Sequence, residues 1–194
     1  MRVSKEKAAE NRDALLQAAS KLFRRHGIDN VGVAEIAREA GLTHGALYAH
    51  FHSKEEIAAE AFSYGFRCSM DNIKKWKNKT NPSFEDYSGA LISNKMRDNL
   101  ENGCPLTASA SEIGRHGNAI SENFLQAFNE MVAMIEKTLN HEIPAPERQQ
   151  IAITTIAAQI GAITIARAIK KASTVQSDVV IKSVYNCLNI LNSQ

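Results

Sequence analysis

The 194-residue sequence has few of the residues that interrupt or crosslink secondary structure. Four prolines and ten glycines leave long uninterrupted stretches in which helices can form. No alternating run of β-branched residues is long enough to predict a sheet. Aromatic residues make up only 6% of the chain, so its apolar content of 44% is mostly aliphatic. These absences favour an all-α protein.

Cysteine is also scarce, with Cys68, Cys104 and Cys187 far apart and no C-x-x-C pair among them. An odd number at such spacing argues against a disulfide scaffold or a zinc cluster and favours a reducing compartment. His50 and His52 could bind a metal, but no third ligand has matching spacing. We therefore expect no metal site and no cofactor.

Long hydrophobic runs are limited to residues 151–166, which carry no charge but contain Thr and Gln and stop at Arg167. This run is short for a bilayer span, so we expect a helix buried in protein. The first residues are charged and lack an apolar signal core. The sequence thus predicts a cytoplasmic protein without membrane contact.

Neither sign of charge is in large excess, because 23 Lys or Arg stand against 21 Asp or Glu and the net charge is +2. Residues 1–54 nevertheless hold nine Lys or Arg against six Asp or Glu, and four of the six histidines. A modestly basic end on a near-neutral remainder is weakly consistent with a DNA-binding segment.

The most informative stretch is residues 33–54, VAEIAREAGLTHGALYAHFHSK. Its apolar residues predict one short helix before Gly41 and a second after it, with Thr43 as the N-cap of the second. Gly41 falls where the chain must turn sharply. Leu47 and Phe51 are expected to face the core. Two short helices joined by a Gly-containing turn form a helix-turn-helix unit.

The surrounding sequence predicts about nine helices in two domains. The first helix, residues 5–25, would pack on the helix-turn-helix, giving a three-helix unit over residues 1–53, here called the head. Residues 54–194, here called the body, would form a helical bundle. Its first helix starts at a Ser53/Glu56 capping box and runs to about residue 78. The remaining helices are predicted at 84–100, 105–115, 119–140, 146–171 and 177–191.

The segment LLQAASKLFRRHGIDNVGVAEIAREAGLTHGALYAHFHSKEEI strongly resembles the head of the TetR/AcrR transcriptional regulators. The resemblance covers about residues 12–60, and beyond residue 60 it is only architectural. It implies an all-α homodimer that binds a roughly palindromic operator and is released by a small-molecule effector. A ligand-responsive repressor is therefore the leading hypothesis.

The resemblance also indicates which residues face DNA. Thr43 and the backbone of His44 and Gly45 would contact a phosphate, His44 would reach a base edge, and Tyr48, His50 and Lys54 would add phosphate contacts. One departure concerns Gly32 and Val33. Many relatives have a hydroxyl residue capping this helix, whereas Gly32 can cap it without a phosphate contact of that kind.

Two further sets of residues are predicted in the body. A dimer surface would form from the last two helices; its residues are Ile153, Ala157, Ile160, Gly161, Val180, Val184 and Leu188. These residues could instead be core within one subunit. An effector cavity would be lined by Phe62, Phe66, Trp76, Tyr87, Cys104, Phe124 and Phe128, although each of these taken singly fits a packing role better.

Cys104 supports an alternative function. It lies at the expected N-cap of a helix, where the positive helix end favours the thiolate. A repressor that senses electrophiles or oxidants through this thiol is therefore the second hypothesis, beside a simple packing role for Cys104. A helical adaptor that binds only protein is a third. An enzyme is not expected, because the sequence has no nucleophile–base–orienter set and no Gly-rich phosphate loop.

Overall fold

The computed structural model describes residues 4–77 and 82–192, apart from the side chains of Lys74, Trp76 and Lys77. These residues form helices and no strand, which confirms the all-α prediction. The helices are α1 (Lys5–His26), α2 (Val33–Glu39), α3 (His44–Tyr48), α4 (Lys54–Lys77), α5 (Phe84–Leu91), α6 (Asn94–Asp98), α7 (Pro105–Ile113), α8 (Asn118–Glu136), α9 (Ala145–Ile169) and α10 (Thr174–Asn192).

The ends of α1 follow from local sequence. Ser4 caps its start by accepting a hydrogen bond from the Lys7 N–H at 3.2 Å. Gly27 ends it with φ = 83°, and its N–H donates to the Phe23 carbonyl at 2.8 Å. A left-handed glycine at this position is a common helix terminator.

The predicted helix over 84–100 is in fact two helices. Ile92 has non-helical dihedral angles (φ = −115°, ψ = 80°), and the Ser93 hydroxyl accepts from the Met96 N–H at 3.1 Å to start α6. The last helix also begins earlier than the predicted residue 177. Ser173 accepts from the Gln176 N–H at 3.2 Å, while Ser177 is fully buried. Local hydroxyl caps decided both boundaries.

One apolar core runs through the head and into the body. In the head, Leu15, Ile36, Leu47 and Phe51 have at most 1% of their surface exposed. Ile57, in the first turn of α4, belongs to the same core, so α4 leaves the head as a packed helix. The body is built around α4, α8, α9 and α10, which pack on one another.

A buried arginine ties α6 to the α9–α10 hairpin. Arg97, 4% exposed, donates to the Asp98 carboxylate at 2.8 and 3.1 Å, to Asp178 at 2.6 Å and to the Ser177 hydroxyl at 2.7 Å. Lys170 also donates to Asp98 at 2.6 Å. These hydrogen bonds from Arg97 and Lys170 hold the pKa of Asp98 well below its usual range.

Within the described residues, α9 is the one helix long and apolar enough, by length and composition, to cross a membrane. It packs against α7, α8 and α10, and Ile156 and Ile163 on its inner side are fully buried. Helix α9 therefore occupies the position of a core helix in the bundle.

Candidate nucleic-acid interface

The turn between α2 and α3 has the geometry that the sequence predicted. Gly41 adopts φ = 69°, and the Leu42 N–H donates to the Ala37 carbonyl at 2.8 Å. Thr43 then caps α3, because its hydroxyl accepts from the Ala46 N–H at 3.2 Å. The five residues of α3 are anchored by Leu47, which is 1% exposed, and by Phe51, which follows the helix and is fully buried.

The opposite side of α3 faces solvent. Thr43, His44, Gly45 and Tyr48 are all exposed, with 48% of Tyr48 accessible. The imidazole of His44 and the phenol ring of Tyr48 meet edge to face, with centroids 5.0 Å apart and an interplanar angle of 82°. The exposed surface of α3 is therefore a polar strip with an aromatic centre and no aliphatic residue larger than alanine.

No contact within the described residues requires a glycine at position 45. A Cβ built at Gly45 meets no atom within 4 Å, and its φ is not in the left-handed region. The absence of a side chain thus leaves the α3 backbone open to close approach from outside.

The other residues considered for DNA contact lie outside α3, at the start of α2 and between α3 and the first turn of α4. Gly32 is exposed and caps α2 without a side-chain hydrogen bond, whereas the half-buried side chain of Val33 packs against the core. His50 is half-buried with its ring 6.4 Å from that of Phe51. The Lys54 ammonium donates to the Asp29 carbonyl at 3.2 Å and so contacts the α1–α2 loop.

Arg24 and Arg25, in the last turn of α1, both join the head to the body. Arg24 donates to the Gly103 carbonyl at 3.0 Å, and Arg25 pairs with Glu101 at 3.0 Å. Burial lowers the pKa of Arg24. No local signal identifies these contacts, because the acceptors lie more than 70 residues away.

In the body, an open cleft of about 940 Å³ lies between α4, α5 and α8. Of the residues predicted for an effector cavity, Phe66 and Tyr87 line it, together with Met70 and Met134. Its charged lining residues are balanced in sign, namely Arg67, Asp71, Glu130 and Lys137. Burial raises the pKa of the Tyr87 phenol.

The remaining residues of that set lie elsewhere. Phe62 and Phe124 stack on each other with centroids 5.7 Å apart, and Phe128 packs against the core. Cys104 is the N-cap of α7, as predicted, and is 1% exposed. The side chain of Trp76 lies outside the described residues.

Cys104 is also close to two cations. The Arg24 and Arg167 guanidiniums bind backbone carbonyls near it, and burial lowers the pKa of both arginines. Both donate to backbone carbonyls, Arg24 to Gly103 and Arg167 to Met96.

The predicted dimer residues divide between surface and core. Ile153 is 40% exposed and Ala157 is exposed, whereas Ile160, Gly161, Val180 and Val184 are half-buried. Leu188 is 3% exposed and belongs to the core of its own subunit, so it is not available to a partner. Further exposed apolar residues on the same two helices are Ile165, Val175, Val179 and Ile190, which are between 48% and 72% accessible.

Two family profiles match this sequence. Residues 15–61 match the profile described as bacterial regulatory proteins, tetR family, and residues 83–177 match the LmrA/YxaF-like transcriptional regulator C-terminal domain. This sequence is 46% identical over 57 residues to the HTH-type transcriptional repressor BepR of Brucella suis, covering 29% of this chain and 27% of that protein. It is 39% identical over 59 residues to the HTH-type transcriptional regulator AcrR of Shigella flexneri, covering 30% and 27%.

The matched region spans just over a quarter of these relatives, but solved structures resemble the whole chain. A TetR transcriptional regulator from Chloroflexus aurantiacus superposes with a TM-score of 0.77 at 22% identity, covering 97% of both chains. One from Legionella pneumophila gives 0.76 at 16% identity, covering 99% of this chain and 100% of the other. At these identities the likeness shows a shared fold.

Proposed function

Because the chain belongs to the TetR family of transcriptional regulators, which are not enzymes, we propose that it represses transcription as an operator-bound homodimer released by a small-molecule effector. In this proposal the head, residues 1–53, binds DNA, and the body, residues 54–194, holds the effector and the partner subunit. The protein would act in the cytoplasm, where its operator is.

The main observation that supports DNA binding is the exposed face of α3. Thr43, His44 and Tyr48 point to solvent from a helix whose other side is fixed by the buried Leu47 and Phe51. A short helix held outward in this way fits the major groove, where side chains can reach base edges. His44 would read a base edge, while Thr43 and Tyr48 would bond phosphates.

Further contacts would come from the ends of neighbouring helices. His50 and Lys54 would add polar and cationic groups beside α3, and the exposed Gly32 would let the α2 backbone approach a phosphate. Val33 packs inward, so we assign it a role in positioning α2. Gly45 would allow the α3 backbone to approach the duplex closely.

The dimer is proposed to form across the outer faces of α9 and α10. Single exposed apolar residues are ordinary, but here several of them lie on two adjacent helices that pack on each other. A C2-symmetric contact would bury this surface, with Ile153, Ala157, Ile160, Gly161, Val180 and Val184 at or beneath it. Such a dimer presents two α3 helices to successive major grooves about 34 Å apart.

The cleft between α4, α5 and α8 is proposed as the effector site. Its volume falls within the usual range for small-molecule sites, and its walls include Phe66, Met70 and Tyr87. Two cations and two anions balance in its lining, which favours a neutral, largely apolar effector over a strongly charged one. Effector binding would favour a subunit geometry in which the two α3 helices no longer match the operator.

A thiol-based variant of this regulation rests on Cys104. Cys104 is the N-cap of α7, and the Arg24 guanidinium binds the carbonyl of the preceding residue, Gly103, at 3.0 Å. Burial opposes this role, because a reagent must first reach a side chain that is 1% exposed. The test is to treat wild type and Cys104→Ser with a soft electrophile and measure operator binding. Equal loss of binding in both proteins would exclude sensing through this thiol.

The central test of function is selection of bound fragments from the source genome, followed by affinity measurements at increasing salt. Phosphate contacts predict that affinity falls steeply as salt rises. A helical adaptor that binds only protein would select no common DNA sequence, and that result would refute the proposal.

A further inference from the structure

A carboxylate of the body contacts the end of α1 in the head. Glu112, near the end of α7, accepts a hydrogen bond from the backbone N–H of Ile28 at 3.2 Å. Ile28 follows Gly27, where α1 ends. The contact therefore joins the body to the loop that leads directly into the helix-turn-helix.

The space beside Gly27 is occupied by the same carboxylate. A Cβ built at Gly27 would collide with Glu112 Oε1, and φ is 83°. The positive φ favours glycine at this position, and the Glu112 carboxylate fills the space where another side chain would begin.

The other end of α7 holds α1 at a second point. Arg24 donates to the Gly103 carbonyl, two residues before α7 begins, at 3.0 Å, and to the Ser20 carbonyl within α1 at 3.0 Å. The end of α1 is therefore held from both ends of α7, by Gly103 just before that helix and by Glu112 near its end. That helix is itself well packed, since Leu106 and Ile113 are at most 5% exposed.

Helix α7 also contacts α9, part of the proposed dimer surface. The buried amide of Gln159 donates to the buried hydroxyl of Thr107 at 3.1 Å. The Gln159 Oε1 atom has no hydrogen-bond partner in the described residues.

The α1–α2 loop has a second polar contact with the body, because the Lys54 ammonium of α4 donates to the Asp29 carbonyl at 3.2 Å. His116 Nε2 lies 3.8 Å from Asp29, beyond hydrogen-bonding distance. In the described part of the chain, no other hydrogen bond joins residues 27–32 to α7 or α8. Helix α1 is held on α4 by apolar packing and by the Arg12–Glu60 ion pair, whereas the Glu112–Ile28 hydrogen bond is the contact by which α7 reaches the backbone of the α1–α2 loop.

We propose that Glu112 is a positioning residue, which sets the rotation of the head on the body and thereby the half-site spacing that the dimer accepts. The proposal rests on the proposed operator binding. Shifts of α9 at the dimer surface would reach the head through Thr107, α7 and the Glu112–Ile28 hydrogen bond.

The experiment compares Glu112→Ala, which removes the acceptor, with Glu112→Asp, which keeps the charge but shortens its reach. The control is Glu122→Ala, which removes an exposed carboxylate of α8. Hydrogen exchange of the Ile28 amide is measured first, without DNA. We expect about tenfold faster exchange in both Glu112 variants and wild-type exchange in the control.

Affinity is then measured for the selected operator and for one with a base pair inserted between half-sites, which rotates them by about 35° relative to each other. In both Glu112 variants, the ratio of the two affinities should fall about tenfold from its wild-type value. If the Glu112→Ala variant does not fold, the Glu112→Asp variant alone provides the test.

Different results would refute the proposed DNA binding and the proposed role of Glu112. If wild type binds no selected DNA, the proposed function is wrong, while the exchange measurement still tests the Glu112–Ile28 contact. If wild type binds but the Asp variant keeps both slow Ile28 exchange and wild-type spacing selectivity, Glu112 does not position the head. Faster exchange with unchanged spacing selectivity also overturns the proposal, because the contact would then be purely structural.

Discussion

The imidazole of His44 stands edge-on to the phenol ring of Tyr48, one helical turn later on the exposed side of α3. An aromatic pair in this geometry is worth about 0.5–1.5 kcal/mol beyond its buried area. Each ring therefore restricts the other before any DNA is bound. The two side chains should act on the operator as a coupled pair, although one is proposed to contact a base and the other a phosphate.

Replacing these residues should separate the two roles. We expect Tyr48→Phe to weaken binding to all sequences by about 1 kcal/mol, since it removes one hydroxyl. His44→Ala should cost about 1–3 kcal/mol and relax preference at one base position. Competition assays with operators varied at single positions distinguish these outcomes. The ring contact itself is tested by a double-mutant cycle of Tyr48→Ala and His44→Ala, which should be non-additive, and strict additivity there would show that the ring contact has no role in binding.

Gly45→Ala should affect DNA binding and stability in opposite directions. The new methyl group meets no protein atom, and alanine favours helix by about 0.5–1 kcal/mol over glycine, so the free energy of unfolding should rise slightly. Operator affinity should fall if the backbone approaches the duplex closely. Denaturant unfolding and a binding titration on the same sample test this, and unchanged affinity would mean that DNA stays distant from Gly45.

Gly32→Ser should restore a side-chain cap to α2. The backbone angles at Gly32 (φ = −88°, ψ = 149°) are extended, and a Cβ there meets nothing within 4 Å. A serine hydroxyl would accept a hydrogen bond from an N–H in the first turn, raising stability by a few tenths of a kcal/mol. It would also add a phosphate ligand, so operator affinity should increase. Gly32→Ala is the matched control, since it adds the Cβ without the hydroxyl.

Ile165→Glu should dissociate the proposed dimer. Ile165 is 52% exposed on α9, and a carboxylate there would be buried beside its symmetry mate or an apolar partner surface. Sedimentation should show monomers at concentrations where wild type is dimeric, with loss of high-affinity operator binding. Leu125→Glu on α8, where Leu125 is 57% exposed, is the control and should stay dimeric. A dimeric Ile165→Glu variant and a monomeric Leu125→Glu variant would indicate that the interface lies on α8.

Acid should loosen the contact between α6 and the α9–α10 hairpin. Because hydrogen bonds from Arg97 and Lys170 lower the pKa of Asp98 in the folded protein, its carboxylate stabilises the fold above the ordinary carboxyl pKa of about 3.9. That stabilisation is lost as the pH falls below this value toward the folded pKa. Thermal melts of Asp98→Asn should therefore show a lower melting temperature near neutral pH and a weaker decline in acid than wild type. Parallel melting curves would exclude Asp98 as a contributor.

Features set by neighbours in the sequence were predictable. Gly41 makes the expected turn with positive φ, Thr43 caps α3, and Leu47 and Phe51 are buried, because helix periodicity and caps depend on a few adjacent residues. The helix break at Ser93 was missed, since a hydroxyl cap competes with a helical pattern that otherwise continues.

Long-range contacts left no signal in the sequence. Ser177 resembles an exposed N-cap, yet it is buried because Arg97, 80 residues away, donates to it. The acceptor of Arg24 and the donor to Glu112 are equally distant in the chain. Such pairs arise only when the packing of α1, α7 and the α9–α10 hairpin is known, so the connection between head and body could not be predicted.

Helix α3 has only five residues, far fewer than the dozen or more that an isolated helix needs in water. A synthetic peptide of this segment would be a coil, and its shape in the protein comes from the anchors Leu47 and Phe51. The exposed residues of α3 and its buried anchors therefore have separate roles, which a grafting experiment can distinguish. A chimera that receives Thr43, His44, Gly45 and Tyr48 on another regulator's intact scaffold should inherit this protein's target preference, whereas transplanting the segment without matching anchors should transfer nothing.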